Sequence, residues 1–229
     1  MPETFLGLLK KHRIFVISYL AFLVLAYFIQ MIFPKAEFFL LTNRHHHVFF
    51  DSVFKFMTMI GDPSTMVFIG FGMLFVKYRY CVITVLAYAS SALFVQIVKR
   101  IFNSPRPTKF FEGLNPIRTL EEYPLYEWNS FPSGHSASAF TLAVVLTYIL
   151  PHKKKHWVLL PVAIVTAFSR VYLSQHFFQD VVAGSVIGVI LTFQLIWWLE
   201  NSEWYHSKGL DRRLFGKRPI PRQSDEPAA

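Results

Sequence analysis

The sequence predicts an all-α protein, a bundle of six transmembrane helices, and three features of its 229 residues carry that expectation. Only 16% of the residues are Asp, Glu, Lys or Arg, where an ordinary soluble domain carries about 25%. Apolar residues make up 53% and aromatics 17%, with 25 phenylalanines and a mean hydropathy of +0.37. Apolar stretches able to cross a ~30 Å hydrocarbon core at ~1.5 Å per residue recur six times. Too little polar surface is left for a water-soluble globule, and the same composition disfavours a disordered chain, a coiled coil or a secreted mini-protein. The single cysteine, Cys81, excludes an intrachain disulfide and a cysteine-based zinc site.

The first span, 14–33, is an apolar run of 20 residues, longer than the roughly 7–15 of a signal-peptide core. Pro34-Lys35-Ala36-Glu37 is no small-residue cleavage site, so the run reads as an uncleaved helix. The second, 57–76, is the least regular. Asp62-Pro63 reads as an N-cap with proline in the first turn, leaving about 22 Å of helix up to Lys77 unless a kinked segment over 52–61 completes the crossing. Spans 81–98, 133–150 and 157–173 follow. The last, 181–199, carries Gly184, Ser185 and Gly188, a small-residue face suited to packing against a helix of the same chain.

Six spans put both termini on one side of the membrane. Of 23 lysines and arginines, 14 fall at the N-terminus (Lys10, Lys11, Arg13), at Lys77 and Arg79, at Lys153 to Lys155, and among six tail positions from Lys208 to Arg222. The positive-inside rule therefore assigns both termini to the cytoplasm of a multi-pass plasma-membrane protein. Residues 1–206 form the six-span unit, and 207–229, basic and with three prolines, read as a cytoplasmic tail without a core of its own. The net charge of +9 is accounted for by this loop bias, so the expected partner is the bilayer and not nucleic acid. The sequence specifies no oligomeric state.

Polar residues gather in two segments on the predicted outer side, 99–136 and 169–180. Lys99 and Arg106-Pro107 follow the third span, Pro132-Ser133-Gly134-His135 opens the fourth, and Ser169-Arg170, His176 and Asp180 join the fifth to the sixth. Each has a bland reading: Lys99 and Arg100 as snorkelling span ends, Asp180 as the N-cap of the last helix, His135 and His176 as interfacial polar groups. Arg170 resists it, because it follows thirteen largely apolar residues and an arginine there needs a partner. His45-His46-His47 reads as a surface loop, since adjacent histidines on regular structure cannot all face one point. Phe110, Phe111, Leu114, Trp128 and Phe131 give the outer loop an apolar side, for headgroups or for ordinary packing.

Order and spacing say more than the parts. Lys99-x6-Arg106-Pro107, then Pro132-Ser133-Gly134-His135, then Ser169-Arg170-x5-His176-x3-Asp180 resembles the three-part signature of the type 2 phosphatidic acid phosphatase superfamily, and all eleven fixed positions match. At about one chance in twenty per position, coincidence is negligible. The intervening gaps, 24 residues over 108–131 and 33 over 136–168, and the six-span pattern suit its membrane members.

The chemistry of the residues agrees. Lys99, Arg106 and Arg170 supply fixed positive charge for the nonbridging oxygens of a phosphate, and Ser133 and Gly134 open a helix whose free N–H groups favour the same anion. Asp180 stands where it can orient His176 if the intervening turn is helical; otherwise the contact depends on the fold. The resemblance implies that His176 is the nucleophile forming a phosphohistidine and that His135 protonates the leaving oxygen, then activates water. No metal or other cofactor is expected, because these segments lack the Asp/Glu clusters of a two-metal phosphatase. The implied activity is hydrolysis of a phosphomonoester or diphosphate from a membrane lipid (phosphatidylglycerophosphate, undecaprenyl diphosphate or phosphatidic acid) at an extracytoplasmic interfacial site. The rivals are a haloperoxidase-like vanadate site, which six spans argue against, and a lipid transporter or flippase, which would place its ionisable groups near the bilayer midplane.

Overall fold

The computed structural model describes residues 3–114, 117–120, 123–150 and 156–215, and among them no β-strand occurs. Ten α-helices follow in order: α1 Phe5–Lys11, α2 Arg13–Ile32, α3 Lys35–Arg44, α4 Val48–Thr58, α5 Pro63–Met73, α6 Tyr78–Phe102, α7 Pro107–Phe110, α8 Gly134–Ile149, α9 His156–Tyr172 and α10 Phe178–Glu200. A 3-10 turn at Met59–Gly61 joins α4 to α5.

Three helices are long and apolar enough to cross a membrane by length and composition: α2, α6 and α10. The helices at the other three expected spans are shorter, α5 with 11 residues, α8 with 16 and α9 with 17. The second span is the one the structure redraws. It is split by the turn before Asp62, and its first arm, α4, begins at Val48, well before position 57. Asp62 caps α5 as expected, its Oδ1 accepting from the Ser64 N–H at 2.9 Å and from the Ser64 hydroxyl at 2.6 Å. Helices α1 and α3 were not anticipated; both are too short to register as spans, and α3 starts beyond the break imposed by Pro34.

Helix α8 is the centre of the bundle. Residues 136–145 are all buried, so the helix shows no polar face. Its tightest neighbour is α10. A Cβ on Gly184 would lie 2.3 Å from the Ser133 carbonyl oxygen, and one on Gly188 would lie 2.4 Å from that of Ala137. The small-residue face thus packs within the chain, backbone against backbone. The outside is apolar: Ile17, Leu20, Val24 and Phe28 on α2, Phe68 and Phe71 on α5, and Leu93, Phe94 and Ile101 on α6 are exposed. A belt of this kind suits lipid rather than water.

The bundle has two chemically different ends. At one, Glu3 accepts from the Trp197 indole at 2.8 Å and from Asn201 at 3.0 Å. There too the tail's first residues pair with the turn after α5: Leu214 N–H donates to the Leu74 carbonyl, Tyr78 N–H to Arg212 and Arg79 N–H to Leu210, all at 2.8–2.9 Å. Lys77 and Arg79 both reach Asp211, at 3.2 and 3.0 Å. The predicted tail is therefore docked over 207–215, while its remainder, 216–229, and the basic loop 151–155 lie outside the described residues. The other end, about 30 Å away along α10, holds the candidate site residues.

Candidate active site

Three local devices bring the site together. The first is the turn after α9, where Gln175 N–H and His176 N–H both donate to the Arg170 carbonyl, at 2.9 and 3.1 Å. Ser174 takes a left-handed φ of 58° to make the reversal, and its hydroxyl donates to the Arg118 carbonyl at 2.9 Å. Arg118 itself forms a two-pronged ion pair with Asp51, at 3.0 and 2.5 Å, and Tyr172 donates to the same carboxylate at 2.8 Å. That network ties the segment around Arg118 to α4 and to the end of α9, on either side of the turn that carries His176.

The second device is the start of α10. Asp180 is its third residue, and its Oδ2 accepts from the Phe177 N–H at 3.0 Å and from the Ser130 hydroxyl at 2.6 Å. The same oxygen stands 3.6 Å from His176 Nδ1, and Ser130 Oγ is 3.5 Å from that nitrogen. Asp180 is therefore not the N-cap of the last helix, a position held by Phe177, but its carboxylate caps that residue's N–H from the first turn and also faces His176, which sits in an extended turn and not on a helix. Burial first, then the charges of Arg106, Lys99 and Arg170, hold the His176 imidazole well below its ordinary value of 6.5. A neutral imidazole is the form that can attack.

The third device is the start of α8. Ser133 is its N-cap, with the hydroxyl accepting from Ser136 N–H at 3.4 Å and its own N–H donating to the Asp180 carbonyl at 2.9 Å. Ser133 is fully buried and so supports the site from behind. A Cβ on Gly134 would meet nothing nearer than Val95, at 3.8 Å.

These devices surround one cavity of about 220 Å3, lined among others by Lys99, Arg106, Gly134, His135, Arg170 and His176. Six of the eight expected site residues therefore meet, with Asp180 and Ser133 behind them. Lys99 and Arg100 part company: Arg100 is exposed, whereas Lys99 is buried with its ammonium donating to the Asn129 carbonyl at 2.7 Å. Arg106 donates to the Trp128 carbonyl at 3.0 Å and to the Gln175 side chain at 3.2 Å. Arg170 donates to Thr58 at 2.8 Å and to the Tyr123 hydroxyl at 2.5 Å, and its buried Nε has no hydrogen-bond partner among the described residues. Three cations and the N-terminus of a helix around one cavity are an arrangement chemically suited to a tetrahedral oxyanion. His45, His46 and His47 are exposed, and His47 Nδ1 serves locally as the cap of α4, accepting from the Phe49 N–H. The outer-loop aromatics divide: Phe111 is buried against Phe39, whereas Leu114 and Trp128 remain exposed.

Sequence reasoning missed Ser130, Tyr123, Thr58 and Gln175, the polar groups that hold the charged ones. A serine two residues before Pro132 carries no signal of its own, and the others touch the site across 47 or more positions of chain.

Comparison with known proteins places the segments that carry these residues in a known family. The family model of the PAP2 superfamily matches residues 80–204, which contain all three signature segments. An undecaprenyl-diphosphatase from Sulfolobus acidocaldarius is 28% identical over 76% of this chain and 85% of that protein. The bacitracin transport permease protein BcrC of Bacillus licheniformis is 28% identical over 57% of this chain, which spans 61% of that protein's length. Among solved structures, the first transmembrane PAP2-type phosphatidylglycerolphosphate phosphatase from Bacillus subtilis superimposes with a TM-score of 0.57 at 28% identity, covering 79% of this chain and 92% of that one.

Proposed function

The chain belongs to the PAP2 superfamily, and from that premise we propose that it is an integral-membrane phosphatase that removes phosphate from lipid phosphomonoesters and diphosphates through a phosphohistidine on His176. The observation that carries this reading is a buried His176, 3.6 Å from Asp180, at the wall of a cavity that also holds Lys99, Arg106 and Arg170.

The steps follow from those groups. The three cations and the first N–H groups of α8 hold the nonbridging oxygens, stabilising the charge that spreads over them in the transition state. With Nδ1 facing Asp180, Nε2 of His176 forms the P–N bond while the bond from phosphorus to the lipid oxygen breaks. His135 gives that oxygen a proton, so a monoester leaves as the lipid alcohol and a diphosphate as the lipid monophosphate. Asp180 stabilises the cationic phosphohistidine. A water then attacks phosphorus and passes its proton to His135. The P–N bond breaks, inorganic phosphate departs, and both histidines are restored.

The lipid preference is supported by the cavity's other wall. Pro63 opens α5, and Tyr88, Ala92 and Gln96 line one face of α6 at four-residue spacing. In this reading the phosphate enters sideways along this wall while the tail stays in the bilayer. Apolar tails are discriminated by only ~1–3 kcal/mol per missing group, so phosphatidylglycerophosphate, undecaprenyl diphosphate and phosphatidic acid all serve. Both termini are cytoplasmic and the site opens on the extracytoplasmic face of the plasma membrane. No metal takes part.

Purified protein in detergent tests the reading. Phosphate release is compared for those three lipids and glucose 6-phosphate, with EDTA and with vanadate. Lipid turnover that survives EDTA, is blocked by vanadate and exceeds that of the sugar phosphate is expected. Loss on chelation restored by Mg2+, or a clear preference for glucose 6-phosphate, overturns it.

A further inference from the structure

His135 stands among cations. The charged and titratable groups that share its cavity are Tyr88 and Lys99 from α6, Arg106 and Tyr126 from the segment after α6, Arg170 from α9, and His176 from the turn before α10. An acid step here has to work against a field of like charge. One carboxylate opposes this field. Asp62 Oδ2 lies 3.7 Å from His135 Nε2.

That placement is built. Asp62 Oδ1 is occupied twice by Ser64, through N–H and hydroxyl, which fixes the carboxylate plane and turns Oδ2 toward the histidine. The preceding turn is pressed against the histidine's own backbone: a Cβ on Gly61 would lie 2.6 Å from the His135 carbonyl oxygen. Any larger residue there would push Asp62 away from its partner. At 3.7 Å the contact is longer than a hydrogen bond, so the carboxylate lends its charge without claiming the proton.

We infer that Asp62 is a positioning residue for the acid step, the counter-charge that favours the protonated form of His135 from which the leaving oxygen takes its proton. This rests on the phosphatase reading above. It gives each histidine its own carboxylate, Asp180 for His176 from behind and Asp62 for His135 from the α4–α5 arm.

The test is Asp62→Asn, which retains a capping oxygen for Ser64 and removes only the charge. Steady-state kinetics in detergent are measured across pH with a lipid phosphomonoester and with 4-nitrophenyl phosphate, whose leaving group needs no proton. The expected result is a kcat at least tenfold lower on the lipid at neutral pH, nearly unchanged KM, an alkaline limb displaced to lower pH by about one unit or more, and a much smaller loss on the nitrophenyl ester. Asp62→Glu restores part of the lipid kcat. An equal fall on both substrates with an unmoved alkaline limb, or a wild-type profile in Asp62→Asn, overturns the inference while leaving the phosphatase reading intact. Absence of phosphate release by the wild-type protein overturns both.

Discussion

Asp180 serves its helix and His176 with the same oxygen: Oδ2 takes the Phe177 N–H that starts α10 and stands 3.6 Å from His176 Nδ1. Folding the helix therefore places the carboxylate, and the two roles separate on substitution. Asp180→Asn keeps an oxygen for the cap but loses the charge that supports a cationic imidazole. Thermal stability in detergent should change little, while kcat falls by about 10²–10⁴-fold. Near-normal turnover in this variant would reduce Asp180 to a cap.

The two histidines should fail differently. His176→Ala removes the atom that bonds phosphorus, so turnover and any acid-labile phosphoenzyme disappear together. His135→Ala removes a proton donor, costing about 10²–10⁴-fold on a lipid alcohol leaving group and far less on a nitrophenolate. Trapping the phosphoenzyme by rapid quench distinguishes them. Recovery of labelled His176→Ala would reassign the nucleophile.

Stability should depend on pH through His176. Its imidazole is held neutral in the folded protein, whereas an unfolded histidine protonates near pH 6.5. Below about 6.5 the unfolded state binds the extra proton, so the folded state loses up to about 1.4 kcal/mol per pH unit until folded His176 itself protonates. His176→Gln lacks that penalty. The stability difference between wild type and variant should be flat above about pH 7.5 and move toward the variant between about pH 6.5 and 5. Thermal unfolding across this range measures it, and a difference that stays constant would mean a freely titrating imidazole.

Sidedness is open to direct labelling, because Cys81 is the chain's single cysteine. In a Cys81→Ser background, a cysteine at Leu125, which is 51% exposed at the site end, should react with an impermeant reagent on intact cells. One at Ser207, at the opposite end, should react only after permeabilisation. The reverse pattern would turn the site toward the cytoplasm and change the pool of lipids it can reach.

The glycine seam makes a steric prediction. Gly184→Ala or Gly188→Ala forces a methyl group into a carbonyl oxygen less than 2.5 Å away, and overpacking of this kind costs about 1–3 kcal/mol. Because Gly184 bears on Ser133, the first substitution should also lower kcat. Circular dichroism melts and activity in the same detergent check both, and a Gly184→Ala protein with unchanged melting would mean that the helices can separate there.

The site was legible in the sequence where charge interrupts apolar runs. Lys99, Arg106, Arg170 and His176 stand out because a charged or polar group at the end of a span has to be explained, and their order matched a family pattern. What stayed hidden was pairing at long range. Asp62 had a sufficient reason to exist as a cap, and nothing in its neighbourhood announces His135, 73 positions on. Ser130 and Tyr123 are ordinary loop residues until the turns fold. Of adjacent Lys99 and Arg100, one enters the cavity and the other faces outward, a distinction made by helix rotation and not by composition. The split second span was half legible, since Asp62-Pro63 marks the break, but α4 lacks the length that a hydropathy scan detects.

The contact of Gly184 and Gly188 with the carbonyls of α8 and its N-cap also divides the cavity wall into a keyed side and a side built from α5 and α6. His135 and Asp180 ride on two helices locked like a key in its slot, with His176 in the turn that enters the second, so neither helix can slide to enlarge the mouth. The α4–α5 arm is interrupted by a single 3-10 turn and faces the cavity through Pro63. Whoever wishes to retune this protein for a bulkier headgroup should leave the keyed pair alone and vary Pro63, Tyr88, Ala92 and Gln96, the cavity wall that the keyed pair does not supply.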